Sequence, residues 1–267
     1  MTSSENILVF TDLDGTLIDH DTYSWGAAEE AIGRLKAEGM PIIPCTSKTR
    51  TEIDFYRKRI GLIDPFISEN GGGVFIPEDY FDFNFEYGGE MKGYKVIELG
   101  TPYKDIRRAL DDMRSFGDII GFGDMSAEEV AEDTGLSMGE ARMAKEREYD
   151  EAFKFSGDED GLRKAIGKAG LNWTRGGRYW HIMGENDKGK AVKILVRLFE
   201  RKLGAVRTVG LGDSLNDLPM LRVVDIPILV QKKDGGYDAR VDAPRLIKAN
   251  APGPEGWNDE ILRLLFG

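Results

Sequence analysis

The sequence predicts an α/β protein: a doubly wound, Rossmann-like parallel-sheet core interrupted by an inserted α+β domain. Three observations carry this. Short apolar runs (Ile7–Phe10, Pro41–Cys45, Val206–Leu211 and Ile226–Val230) read as buried parallel strands. Amphipathic helical patterns alternate with them at both ends of the chain. In the middle, strand-like pieces alternate with polar helices.

Ile7-Leu8-Val9-Phe10 is apolar without alternation, which suits a strand covered on both faces. Trp25, Ala28, Ile32 and Leu35 then recur at helical spacing, and Gly39 supplies a stop. Pro41–Cys45 is the second strand. Thr49 with Glu52 is a capping box that opens a helix ending near Gly61. At the far end, Lys188–Leu203 carries Ala191, Ile194, Leu195, Leu198 and Phe199 on one face. A strand over Val206–Leu211, a short helix over Leu215–Leu221, a strand over Ile226–Val230 and a closing helix over Trp257–Phe266 follow. In the middle, Lys95–Leu99, Ile119–Phe122, Ala152–Phe155 and Tyr179–Met183 read as strands. Ser126 with Glu129 and Ser137 with Glu140 are two more capping boxes. Gly176-Gly177, between Leu171–Thr174 and Tyr179–Met183, reads as a hairpin turn. The expected organisation is therefore residues 1–85 as the first part of the core, 86–184 as the insertion and 185–267 as the second part of the core.

With 267 residues the chain suits about two domains and needs no disulfide to hold a core. Cys45 is its single cysteine and His20 and His181 its only histidines, which excludes an intramolecular disulfide and Cys- or His-rich metal sites. Acidic residues outnumber basic ones, 47 to 36, for a net charge of −11. That excludes the generally basic surface of a nucleic-acid binder. The first apolar run is far too short for a signal segment or a membrane span, so the expectation is a soluble, cytoplasmic protein with neither nucleic acid nor membrane as partner. Oligomeric state is not legible.

Chemistry gathers at the strand ends, where open α/β sheets bind ligands. Asp12-Leu13-Asp14-Gly15-Thr16 follows the first strand. Two carboxylates so spaced can share a hard cation, and Gly15 permits a sharp turn. Asp-Gly is also an ordinary turn pair, with Asp14 as a cap. Gly212-Asp213-Ser214-Leu215-Asn216-Asp217 follows a later strand, again as a possible glycine-rich turn capped by Ser214. Dinucleotide and Walker A loops are excluded: Gly210-x-Gly212 lacks its third glycine, and Lys188-Gly189-Lys190 lacks the upstream glycine and the following hydroxyl. Thr46-Ser47-Lys48-Thr49 offers hydroxyls and free amides at a helix start, suited to phosphate or to simple capping. Lys188 stands at a helix N-terminus, against the dipole.

In chain order, Asp12–Thr16, Thr46–Thr49, Lys188 and Gly212–Asp217 together resemble the haloacid dehalogenase superfamily of phosphatases. Ser68-Glu69-Asn70-Gly71-Gly72 ahead of the insertion resembles its sugar-phosphatase-like branch with a large α+β cap, type C2B. Within that branch Thr46–Glu52, Gly121–Ser126, Ala144–Glu151 and Gly176–His181 look like mannosyl-3-phosphoglycerate phosphatases. Ala152, where that family favours proline, is a departure, as are Ser47 and Lys48 in place of the Gly-Arg often seen in sugar phosphatases.

The resemblance implies a phosphomonoester hydrolase that uses Mg2+ and releases mannosylglycerate, a compatible solute, from a small phosphorylated sugar acid. It implies Asp12 as nucleophile, forming an aspartyl-phosphate, and Asp14 as acid and base. Asp12, the Asp14 carbonyl and Asp213 would hold the metal, with Asp217 a further ligand or support. Thr46 and Lys188 would bind the phosphoryl oxygens, with Ser47, Lys48 and Asn216 beside them. For the substrate carboxylate the expected anchor is Arg178, then Arg147, with Arg142 weakest. His181 reads as a strand residue facing a neighbour, Trp173 and Trp180 as core, and Cys45 as a small buried side chain. Rival readings are a broader sugar-phosphate, glucosyl-3-phosphoglycerate or phosphoglycolate phosphatase, a phosphomannomutase-like enzyme, and a non-catalytic phospho-ligand binder.

Overall fold

The structure is a computed structural model that describes residues 5–175 and 178–267. The Gly176-Gly177 turn lies outside the described residues. The chain begins β1 (Asn6–Thr11), α1 (Glu29–Ala37), β2 (Ile42–Pro44), α2 (Arg50–Ile60), β3 (Phe66–Ser68), β4 (Gly73–Pro77), β5 (Gly89–Met91), β6 (Tyr94–Glu98). It continues α3 (Tyr103–Asp112), β7 (Gly117–Gly121), α4 (Ala127–Thr134), α5 (Met138–Ala144), β8 (Asp150–Gly157), α6 (Glu159–Lys168), β9 (Asn172–Arg175), β10 (Trp180–Met183). It ends α7 (Lys188–Leu203), β11 (Val206–Gly212), α8 (Leu218–Leu221), β12 (Ile226–Gln231), β13 (Ile247–Pro252), α9 (Gly253–Leu265).

The central sheet runs β13-β12-β11-β1-β2 with every pair parallel, and Cys45 bridges to Ile67 so that β3 continues the row. Both faces are covered, which explains the unbroken apolar run of β1. Val9 packs into one core with residues of α1, α2 and α9, while Leu8 and Phe10 pack into another with α7 and α8. β2 and β11 lie on opposite sides of β1, so the crevice at the carboxyl ends of these strands is the topological switch point of the sheet.

The second sheet, β7-β8-β10-β9, is antiparallel. One apolar cluster packs it with α3 and α6 through Ile106, Leu110, Leu162 and Ile166. A smaller one holds Val130 of α4 and Ala141 of α5 against Phe122 and Ala152. This is the α+β unit read from the sequence. Residues 86–98 differ from the expectation: β6 pairs with β4 and β5 with β6 in a third sheet, β3-β4-β6-β5, and Val96 packs in the first core. The physical reason is that β4 needs a partner on its edge away from β3, and β6 supplies it with Val96 against the first core and Ile97 against the second. β13 went unread because Lys248-Ala249-Asn250-Ala251 has little strand propensity. It forms beside β12, ahead of α9, which carries the buried Trp257.

Candidate active site

Each chemical segment arrives at the crevice on a core strand. Asp12 follows β1, and its position is braced from behind: Thr11 Oγ1 donates to the Asp12 carbonyl at 2.7 Å and accepts from Trp257 Nε1 at 3.0 Å. Gly15 turns with φ +71°, and a Cβ there would stand 3.3 Å from Asp213 Oδ2, so the two acidic loops meet at this glycine. Asp213 follows β11. A Cβ on Gly212 would fall 2.4 Å from the Asp217 Cγ, a second place where only glycine fits.

Lys188 explains its unfavourable place at the start of α7. It is fully buried, with Nζ 3.1 Å from Asp12 Oδ1 and 2.6 Å from Asp217 Oδ1. Burial would lower its pKa, yet Asp12 and Asp217 hold it above the ordinary lysine value. The helix start itself is capped by Asp187, which accepts from Lys190 N at 2.8 Å. Asp217 is fully buried, and its other oxygen accepts from Asp213 N and Ser214 N, both at 3.0 Å. Both Asp217 oxygens are thus engaged by the protein.

Asp12, Asp213 and Asp217 each offer an oxygen within 4.8 Å of the others. Burial and mutual repulsion push the carboxyls of Asp213 and Asp217 above their usual range, because Lys188 alone leaves the cluster with excess negative charge. An all-oxygen, anionic set of this kind fits a hard divalent cation.

A second lysine unit stands beside the first. Lys48 Nζ lies 2.9 Å from Asp14 Oδ2 and 3.3 Å from Glu52 Oε1, with the rings of Tyr23 and Tyr56 at 5.3 and 5.5 Å. Burial raises the Asp14 pKa against the pull of Lys48. Asp14 Oδ1 is buried without a partner among the described residues. Glu52 does two jobs: Oε2 accepts from Thr49 N at 2.9 Å in the capping box while Oε1 faces Lys48. Sequence reasoning saw only the cap.

Above these groups lies a cavity of about 510 Å³ between the core and the α+β unit. Asp12, Asp14, Ser47, Lys48, Asp213 and Asn216 line its core side. Thr46, buried directly behind Ser47, accepts from Lys48 N at 3.4 Å through Oγ1. On the opposite wall stand Arg147, Arg178 and His181. Arg178 is exposed and donates to the carbonyls of Asp133 and Thr134 at 3.0 and 2.9 Å. Arg147 is recessed, with its side chain 5% exposed, and donates to Asp150 Oδ1 at 2.8 Å. Arg142 is exposed and does not line the cavity. Trp173, Trp180 and Cys45 pack in cores as expected.

Sequence reasoning missed Asn70 and Asp150. Glu69 and Asn70 take left-handed conformations, φ 46° and 56°, which carry Asn70 between Asp150 and Asn216. The only signal was the unusual Ser-Glu-Asn-Gly-Gly run.

The fold and the acidic switch-point cluster define a haloacid dehalogenase-like hydrolase, and the family model of that description matches residues 9–84. The chain belongs to the glucosyl-3-phosphoglycerate/mannosyl-3-phosphoglycerate phosphatase family and is a phosphatase. A relative with that double name from Methanococcoides burtonii is 52% identical over 97% of both chains. One from Persephonella marina is 43% identical over 97% of both. A mannosyl-3-phosphoglycerate phosphatase of Pyrococcus horikoshii is 38% identical over 90% of this chain and 99% of its own. Among solved structures, a Thermoplasma acidophilum protein aligns with TM-score 0.69 at 18% identity, covering 97% of this chain and 98% of its own. A subclass IIB sugar phosphatase of the superfamily aligns at 0.62 and 18% identity, covering 90% and 93%. Both share the fold. Among the described residues, no helix is long and apolar enough to cross a membrane.

Proposed function

We propose that this protein is a Mg2+-dependent phosphatase that hydrolyses mannosyl-3-phosphoglycerate, and glucosyl-3-phosphoglycerate with it, through a phosphorylated Asp12. The observation that carries this reading is the cavity itself. One wall presents Asp12 and Asp213 beside buried lysines, and the other presents a recessed arginine, spacing a phosphate site from an anion site. The double name of the 52%-identical relative supports the pair of substrates.

Asp12 attacks the phosphorus and the sugar-acid oxygen departs. Asp14, with its carboxyl held neutral more readily than usual, protonates that oxygen and then takes a proton from the water that hydrolyses the aspartyl-phosphate. Lys48 holds Asp14 in place. Lys188 fixes Asp12 and neutralises charge beside the transferring group, with the Thr46–Lys48 segment at the phosphoryl oxygens. Asp12, the Asp14 carbonyl and Asp213 would hold Mg2+, with Asp217 bracing the loop. When bound, the ion offsets repulsion between the Asp12 carboxylate and an anionic phosphate. Arg147, recessed and with Nε unmet, fits the substrate carboxylate better than Arg178, which is exposed and whose Nη1 and Nη2 each already donate to a backbone carbonyl. The insertion, acting as cap, excludes water from the site; a first boundary near residue 100 rather than 86 is supported by the pairing of β6 with β4 and of β5 with β6.

Phosphate release from the mannosyl and glucosyl substrates beside simple hexose phosphates, with Mg2+ and with a chelator, tests this. The glycosyl-3-phosphoglycerates are the preferred substrates, and chelation stops turnover. Equal or better turnover of hexose phosphates would support the broader sugar-phosphatase reading. Asp12→Asn loses at least about 10³-fold in kcat and forms no phosphoenzyme while its unfolding transition persists. Retained turnover in that variant rules the nucleophile out.

A further inference from the structure

The insertion-side wall carries a polar group that the mechanism above leaves unused. Asp150, on β8, is fully buried, and its carboxylate accepts from three residues: Arg147 Nη1 at 2.8 Å, His181 Nδ1 at 2.8 Å and Asn70 Nδ2 at 2.9 Å. Burial opposes its charge, but His181, Arg147 and Asn70 together hold its pKa below the usual carboxylate range. Among the described residues, one of the five N–H donors of Arg147, on Nη1, meets an acceptor. Its Nε is buried and meets no acceptor among the described residues, and its guanidinium lies over the Phe122 ring at 5.5 Å. An unpartnered donor in so recessed a side chain is costly unless a ligand meets it. His181 spends Nδ1 on Asp150, which leaves Nε2 for the cavity that the residue lines.

The same carboxylate is tied to the phosphoryl side. Asn70 donates to Asp150 and accepts from Asn216 Nδ2 at 3.3 Å, and Asn216 stands between Asp213 and Asp217. Asn70 does this from a left-handed backbone, φ 56°, directly after Glu69 at φ 46°. Two consecutive non-glycine residues in that region store strain, which marks a position the surrounding structure enforces.

We propose that Asp150 is a positioning residue for substrate specificity: it aims Arg147 and His181 at the substrate carboxylate, and through Asn70 and Asn216 it fixes that anion subsite relative to Asp12. The idea rests on the substrate reading above. In the free protein Asp150 is the carboxylate that meets both Arg147 and His181, and Arg147 Nε lacks an acceptor among the described residues. A substrate carboxylate takes the unused edge of the Arg147 fork in two parallel charge-assisted bonds and supplies that acceptor. A phosphomonoester without a carboxylate makes no such contact.

The test is the ratio of KM for mannosyl-3-phosphoglycerate to KM for glucose 6-phosphate, compared between wild type and variants. Asp150→Asn keeps the shape and removes the charge, and it raises this ratio about tenfold or more. His181→Gln raises it less. An unchanged ratio, with both substrates affected alike, overturns the proposal and leaves Asp150 a structural residue. Should Asp150→Asn fail to fold, Arg147→Lys, which keeps the charge and loses the fork, reads the same ratio with the same two outcomes. Wild-type enzyme that hydrolyses glucose 6-phosphate but not the mannosyl substrate defeats the substrate reading and this proposal together. Wild-type turnover of both with no change of ratio in the variants defeats this proposal alone.

Discussion

The two walls of the cavity handle charge in opposite ways. On the core side each buried cation is shared by two carboxylates, Lys188 by Asp12 and Asp217, and Lys48 by Asp14 and Glu52. On the insertion side one carboxylate, Asp150, is shared by Arg147 and His181. The first wall has more carboxylates than cations and suits a metal cation; the second keeps an unmet Arg147 donor and suits an anion. A chain of net charge −11 can therefore take an anionic substrate, because what matters is where its charges and unmet donors sit.

The sharpest way to break this comparison is Lys188→Ala. It leaves Asp12 and Asp217 facing each other, buried and uncompensated, and removes about 3–5 kcal/mol of stability along with turnover. Urea unfolding measures the first and phosphate release the second. The Lys188 pKa is raised in the folded state, so its contribution is complete below the ordinary lysine pKa and fades only as pH rises toward the folded value. The lysine's own contribution is accordingly intact through neutral pH and is lost only in alkali. A variant as stable as wild type would show that the core wall is not organised by shared cations.

Lys48→Ala sharpens the comparison within the core wall. Asp14 keeps 36% of its side chain accessible, so it can rehydrate when its partner is lost, and the stability loss is smaller than for Lys188→Ala. The effect falls on chemistry: kcat drops on the order of 10²-fold as Asp14 loses its orientation. A larger stability loss than that of Lys188→Ala would reverse the ranking of the two units.

How the two walls could be read from sequence differs as well. The core wall was almost fully legible. Asp12, Asp213 and Lys188 sit at strand ends or a helix start, where local pattern fixes both the element and the direction in which the side chain points. The insertion wall was not. Arg147 lies in the irregular stretch before β8, and Asp150 and His181 meet only because β8 and β10 pair, with His181 opposite Ala152. Asn70 reaches them through a backbone conformation that no propensity suggests. The parallel strands of the core followed from β-α alternation. The pairing of β6 with β4 and of β5 with β6 did not, because antiparallel pairing of this kind leaves no periodic mark.

Glu69 stands where the walls join. It is buried and accepts from the backbone N–H of Glu148 and Tyr149, at 3.0 and 2.8 Å. Burial, against the pull of Arg147, pushes its pKa up to about 8 from an ordinary 4.5. Between those values the folded state holds a proton that the unfolded chain has released, so stability falls as pH rises through this window. Glu69→Gln keeps a neutral side chain of the same shape and removes that part of the slope. Thermal melts at about pH 5 and about pH 8 check it: the variant loses less stability between them than wild type does. Parallel slopes would mean that the join carries no titrating charge.

The smallest expected effect belongs to Arg178→Ala. Arg178 reaches the cavity from beside α4, but its Nη1 and Nη2 donate to the carbonyls of Asp133 and Thr134, and the residue is exposed to water. Its donors are spent on local backbone, and exposed polar contacts of this kind contribute only about 0–1 kcal/mol. KM for mannosyl-3-phosphoglycerate should shift by less than about twofold, against roughly tenfold or more for Arg147→Ala. Steady-state kinetics of the two variants side by side decide it. A rise in KM for Arg178→Ala that matches Arg147→Ala would move the carboxylate anchor to the α4 side, and the insertion wall would then hold two independent cations rather than one pair of basic side chains gathered on Asp150.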